Sequence, residues 1–232
     1  SPEDHPEQAE PESTVQVDPI DLVALDLGYQ LVSLVDKSQG GSLLERIQTL
    51  RRQMARDLGF VVPPIHIKDN LQIGPSEYRI YVKETEVAKG EVQPGTCMAI
   101  NPGTAQPGLD GVPAEEPVFG LAATCIPEED REKAQMMGYT VVDAVTVLVT
   151  HLSEVLQRYS QELLTRQDVH GLLKEVAKDN PKVVEELVPN PLPLGVVHRV
   201  LQGLLEERVS IRDLLTILET LGDRATTTRD PE

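Results

Sequence analysis

Tryptophan is absent from this chain of 232 residues, and phenylalanine occurs only at Phe60 and Phe119. A core built without them must come from Leu, Val and Ile, and an aromatic ring left on the surface stands out as a candidate contact. Phe119 is such a candidate, with a core position as the lesser alternative on composition alone. The apolar share of 40% is adequate for a packed interior, so the chain is read as folded, with room for one large or two small domains.

Cysteine is nearly as scarce. Cys97 and Cys125 lie far apart and form neither a CxxC redox motif nor a zinc-ligand spacing, so both are expected as reduced core residues in a cytosolic setting. No apolar run approaches the length of about 20 residues that a membrane-spanning helix needs, and no signal-peptide pattern opens the chain. The chain is therefore read as soluble, and its Ser-Pro-Glu-Asp start without Met as the beginning of a piece of something longer.

Basic residues are the third shortage, with 21 Lys and Arg against 38 Asp and Glu and a formal charge of −17. Phosphate backbones and anionic lipid surfaces are repelled overall, which excludes nucleic acid as the main ligand and favours basic or neutral protein partners. The short capped helices near the C-terminus resemble a helix-turn-helix reader, but residues 196–207 set Arg199 against Glu206 and Glu207 where a recognition helix needs a basic face. Part of the acidity sits in residues 1–18, where Pro, Glu and Ser dominate, and this stretch is read as an acidic flexible linker.

Catalytic furniture is missing too. The chain has no GxxxxGK[ST] and no GxGxxG, so neither a phosphate cradle nor a dinucleotide turn is present. His66, His151, His170 and His198 are scattered outside any HxxxH or HExxH arrangement, and read as satisfied or surface histidines. The acidic pairs Glu115-Glu116 and Glu185-Glu186 and the run Glu128-Glu129-Asp130 read as solvated helix starts rather than acid and base groups. No cofactor, no metal and no catalysis are expected. An uncharacterised acidic hydrolase is the alternative of another class that the residues leave open.

What the chain does hold is a stretch dense in strand and turn signals, residues 59–103. Tyr78, Ile80 and Val82 alternate with Arg79 and Tyr81 as a half-buried strand requires. Strands are expected at 61–67, 78–82, 85–92 and 96–100, with a loop over 104–117, a strand over 118–126 and a short helix from Pro127 to a stop at Gly138. Before them, Leu43, Leu44, Ile47, Leu50, Met54 and Leu58 recur at helical spacing. Ser42 and Glu45 have the spacing of a capping box, and Gly59 is placed to stop the helix. Residues 141–164 carry one long amphipathic pattern. Thr165, Pro181 and the run Ser210 to Asp213 then open further helices, the last ending at Gly222.

Laid end to end, LLERIQTLRRQMARDLGFVVPPIHIKDN (43–70), YRIYVKETEVAKGEVQPG (78–95), AINPG (99–103), PVFGLAATCI (117–126), GYTVVDAVTVLVTHLSEVL (138–156) and LVPNPLPLGVVHRVLQGLLEERVSIRD (187–213) resemble the cytoplasmic region of the FHIPEP family. These are the export-gate proteins of type III secretion, and the wording is most similar to the flagellar branch, with a virulence injectisome as the alternative.

The resemblance implies an α+β, multi-subdomain fold: a mixed α/β body with a small inserted ferredoxin- or RRM-like α+β subdomain, followed by a helical subdomain. The implied division is a linker at 1–18, a first subdomain at 19–94 and 144–163, an insertion at 95–143 and a helical part at 164–232. By the same resemblance, a fourth subdomain of the family is expected to be absent from this sequence, which runs into the polar TTTRDPE. The resemblance further implies a non-enzymatic docking domain on the cytoplasmic side of the bacterial inner membrane, tied to the membrane only through a portion not present here. It implies self-association into a homo-oligomeric ring, with export chaperones carrying their substrates, the export ATPase complex and the substrate-switch protein as partners. Carried over position by position, the chaperone cleft takes Phe119, Ile100, Pro102, Val141, Val142 and Thr150, with Glu116 as an acidic rim. Gly28 takes a conformational role, so that Gly28→Cys is expected to impair switching rather than chaperone contact.

Overall fold

A computed structural model describes residues 19–225, and the expected linker at 1–18 and the polar end at 226–232 lie outside them. The alternation of Tyr78, Ile80 and Val82 with polar neighbours buries one face of strand β3 (Glu77–Val82) completely. β3 lies antiparallel to β1 (Val23–Leu27) and to β4 (Thr85–Glu91), and β1 pairs in parallel with β2 (Ile65–Asp69). The order of this first sheet is β2-β1-β3-β4. β2 begins four residues later than the sequence pattern predicts, because Pro63 and Pro64 cannot donate to a ladder.

Helix α1 (Leu43–Leu58) connects β1 to β2 and buries Leu43, Ile47, Met54 and Leu58. It stops where expected, at Gly59 in the left-handed conformation with φ of 95°. It starts without the expected capping box: the Ser42 side chain caps nothing, and Glu45 turns out to Lys37 at 3.3 Å.

The second sheet is formed by β5 (Thr96–Ile100), β6 (Val112–Glu116), β7 (Leu121–Pro127) and β8 (Thr140–Asp143), in the order β6-β7-β5-β8, every pairing antiparallel. The predicted loop over 104–117 therefore contains a strand. Pro113, Glu115 and Glu116 disguise it, and an end strand tolerates all three. Helix α2 (Arg131–Met136) covers one face of this sheet through Ala134, which packs with Cys97, Ala99 and Ile126 in a small separate cluster.

The long pattern over 141–164 divides into β8, α3 (Ala144–Arg158) and the single turn α4 (Ser160–Leu163). Asp143 makes the break, accepting from the Thr146 N–H at 2.8 Å and from its hydroxyl at 2.9 Å as the N-cap of α3. α3 buries Leu148, Leu152 and Leu156 fully and packs against β4 of one sheet and β5 of the other, so it is the beam that joins them.

Helices α5 (Arg166–Asp179), α6 (Pro181–Leu187), α7 (Leu194–Glu206) and α8 (Leu214–Ala225) complete the described chain. The capping box at α5 is real, with Thr165 and Asp168 exchanging hydrogen bonds, and Pro181 opens α6. α8 runs three residues past the predicted stop, since Gly222 stays helical. One core extends from β1 and β3 through α1 and α3 to Val169, Leu201 and Leu218 of these helices.

Candidate functional site

Among the described residues, Phe119 is one of the most exposed large apolar side chains, at 74%. It stands on the four-residue connection between β6 and β7, where side chains belong to neither face of the sheet. Gly120 closes the turn with a φ of +65° and donates its N–H to the Glu116 carbonyl at 2.9 Å. A residue with a β-carbon is disfavoured in that conformation.

Glu116 controls the turn from within. Its carboxylate accepts the Val118 N–H at 2.8 Å with one oxygen and the Phe119 N–H at 2.8 Å with the other, and the residue is 7% exposed. The expected rim carboxylate is corrected accordingly: Glu116 faces inward on β6 and holds the backbone that presents the ring, rather than waiting at the edge for a partner.

Behind Glu116 lies a buried polar pair that the sequence reading missed. The Tyr78 hydroxyl of β3 and His151 Nδ1 of α3 share a hydrogen bond of 2.8 Å, their rings edge to face at 5.8 Å. Tyr78 is fully buried and His151 nearly so. Burial, and after it the nearby Glu116 charge, raise the Tyr78 phenol above its ordinary range. Burial likewise pushes His151 below the ordinary imidazole value, against the opposing pull of Glu116. Gly90 of β4 makes room for this pair, since a β-carbon there would collide with the Tyr78 hydroxyl. A glycine in mid-strand is the one signal that sequence offers for such a close approach.

The other expected positions separate by strand geometry. Ile100 and Val142 are half-buried and pack on the main core, on the sheet face that carries Glu116. Val141, one residue from Val142, points to the opposite face and joins the α2 cluster, so the expectation that both line one cleft is corrected by the two-residue period of a strand. Pro102 and Thr150 are exposed, Thr150 one residue before the buried His151. Gly28 lies at the end of β1, where an added β-carbon would strike the carbonyl oxygens of Gly74 and Pro75. The structure thus places Glu116, Ile100 and Val142 on one face and sets Val141 and Gly28 apart.

Among the described residues no group of His, Cys, Asp or Glu is arranged to hold a metal. Cys97, beside Glu128 at 2.5 Å, is pushed up to about 12 by burial and then by that carboxylate, so it stays a protonated thiol. No described helix is long and apolar enough to cross a membrane. What the arrangement offers is an apolar contact on a fixed turn.

Two sheets joined by one helix, a helical extension and an exposed aromatic turn make up the described architecture. The FHIPEP family model matches residues 1–232, and the chain belongs to the FHIPEP family. Flagellar biosynthesis protein FlhA of Proteus mirabilis is 46% identical over 211 residues, covering 91% of this chain and 30% of that protein. The FlhA of Bacillus subtilis is 43% identical over 222 residues, covering 96% and 33%. The chain thus spans about a third of the length of these curated relatives. The Chlamydia pneumoniae CdsV structure superposes with a TM-score of 0.81 at 25% identity, over 95% of this chain and 64% of that one. The nonameric EPEC SctV-C shares the fold, with a TM-score of 0.68 at 21% identity over 93% and 64%.

Proposed function

We propose that this chain is the cytoplasmic docking domain of a flagellar type III export gate, and that the Phe119 turn receives export chaperones carrying their substrates. The observation that carries the reading is the 74% exposed ring of Phe119 on a turn fixed by a buried carboxylate. Leaving a scarce aromatic in water has no benefit to folding, whereas a rigid, already positioned anchor costs little entropy on binding. Identities of 43–46% with FlhA proteins support the flagellar assignment over the injectisome.

The proposed contact surface is Phe119 with Pro102, Thr150 and the exposed parts of Ile100 and Val142, and Glu116 acts behind it. The domain holds cargo without transforming it. We place it at the cytoplasmic side of the bacterial inner membrane, in a homo-oligomeric ring served by the export ATPase complex and a substrate-switch protein. The division into a first unit at 19–94 and 144–163, an insertion at 95–143 and a helical part from 164 is proposed with it, supported by the second sheet forming wholly within the insertion.

Calorimetric titration of the chain with a purified flagellar chaperone–substrate complex tests the reading. Saturable heat from the complex, absent with an unrelated folded protein, supports it. Silence from a panel of such complexes rejects it.

A further inference from the structure

Three buried polar side chains from three elements converge where the two sheets meet. Tyr78 belongs to the first sheet, Glu116 to the second, and His151 to the helix that joins them. The space between the sheets is lined by a neighbour of each: Gly90, where a β-carbon would touch the Tyr78 hydroxyl, Pro117, which follows Glu116, and Val147, one helical turn before His151. The Glu116 charge acts on both Tyr78 and His151.

Counting donors and acceptors fixes the resting arrangement. The Tyr78 hydroxyl is fully buried, and His151 Nδ1 at 2.8 Å is its one hydrogen-bond partner among the described residues. A buried hydroxyl without an acceptor is costly, so the phenol donates to Nδ1 and the neutral ring carries its proton on Nε2. Nε2 has no protein partner and is not sealed from solvent, since His151 keeps 7% of its surface. Glu116 meanwhile uses one oxygen for the Val118 N–H and the other for the Phe119 N–H.

A proton taken from water reverses the central bond. The imidazolium carries N–H on both nitrogens, so Nδ1 stops accepting and donates to the Tyr78 oxygen. The phenol proton then needs another acceptor, and Glu116 is the carboxylate whose charge already reaches it. The new positive charge on His151 attracts the same carboxylate. Both pulls act against its bonds to the turn.

The other charges around His151 are engaged elsewhere. On α3, Glu154 is held by Arg208 at 2.8 Å and by Arg158 at 3.6 Å, and Asp143 caps the helix about two turns earlier. Arg46 of α1 reaches Thr146, and Glu162 of α4 is exposed beside Lys83. Lys89 and Glu91 of β4 alternate away from the face that Gly90 shares with Tyr78, and Cys97 of β5 lies in the α2 cluster.

We propose that Tyr78, His151 and Glu116 form a proton-operated latch for the Phe119 turn: with His151 neutral, Glu116 holds the Val118 and Phe119 N–H groups, and with His151 protonated, the phenol and the imidazolium draw the carboxylate away and release the turn. Burial disfavours the charged ring, so the latch opens only below the ordinary imidazole range. Its consequence for cargo rests on Phe119 being the contact, whereas the latch itself does not.

The test follows the isotope-labelled 232-residue chain by NMR from about pH 7.5 to about pH 5, with no partner present, so its outcome is separate from that of the cargo titration. The Val118 and Phe119 amides should shift with the midpoint of the His151 ring, below about 6.5, and below it should exchange about fivefold or more faster relative to their intrinsic rates. His151→Asn, whose side-chain oxygen still accepts from Tyr78 but does not titrate, should abolish the step. Glu116→Gln should leave His151 titrating at a lower midpoint and remove the response of the turn. Should His151→Asn fail to fold, Tyr78→Phe takes its place, with His151 still titrating and the step at Phe119 reduced. The proposal is overturned if the two amides stay fixed across the His151 midpoint, if the folded chain shows no His151 titration above about pH 5, or if the step persists undiminished in these variants.

Discussion

The carboxylate of Glu116 holds the backbone N–H of Phe119 at 2.8 Å, so a buried acid fixes the most exposed Phe or Tyr ring among the described residues. Removing the acid leaves the Val118 and Phe119 N–H groups without their partner. Glu116→Ala should cost about 1 to 3 kcal/mol of stability, and Glu116→Gln less, because the amide oxygen still accepts while its nitrogen cannot. Chemical unfolding of both variants checks the order. Equal stability of Glu116→Ala and the parent would remove the turn-holding role.

The Tyr78 and His151 pair makes stability depend on pH with a defined sign. His151 is pushed below its unfolded value of about 6.5, so the unfolded chain takes up the proton first as pH falls. The stabilisation is present above pH ~6.5 and is lost progressively below it. The double variant Tyr78→Phe, His151→Phe should flatten that acid-side slope in denaturation curves collected from pH 7 downward. A slope identical to the parent's would contradict the assignment.

Two glycines should respond in opposite directions. A side chain at Gly28 meets the backbone oxygens of Gly74 and Pro75, and the Gly28 N–H is bonded to the Glu77 carbonyl at 2.8 Å, so the turn must move. Gly28→Ala or Gly28→Cys should lower stability by about 1 to 3 kcal/mol and disturb the turn before β3. Gly171, in the middle of α5, has open space around it, and Gly171→Ala should stabilise by about 0.5 to 1 kcal/mol through helix propensity. Thermal melts of the two variants displaced in the same direction would contradict the pairing.

Much of this was legible in the residues themselves. The period of Tyr78, Ile80 and Val82, the Gly59 stop and the Thr165 and Pro181 starts are local signals, and local physics decided them. β6 was not legible, because an end strand rich in Pro and Glu owes its existence to the hydrogen bonds of β7, which no local pattern records. The break at Asp143 was hidden because Val141 and Val142 suit a helical period as well as a strand. At the site, the scarcity of Phe already marked Phe119. The inward turn of Glu116 and its proximity to His151 and Tyr78 are contacts across the fold, between residues 73 apart in the case of that pair.

The account rests on Phe119 being an anchor rather than a packing residue, and one paired measurement separates the two. Phe119→Ala should weaken binding of a flagellar chaperone–substrate complex by about 1 to 3 kcal/mol in calorimetry while the melting temperature stays within about a degree of the parent's. Unchanged affinity, or a loss of affinity accompanied by a collapse of the melting temperature, would contradict it.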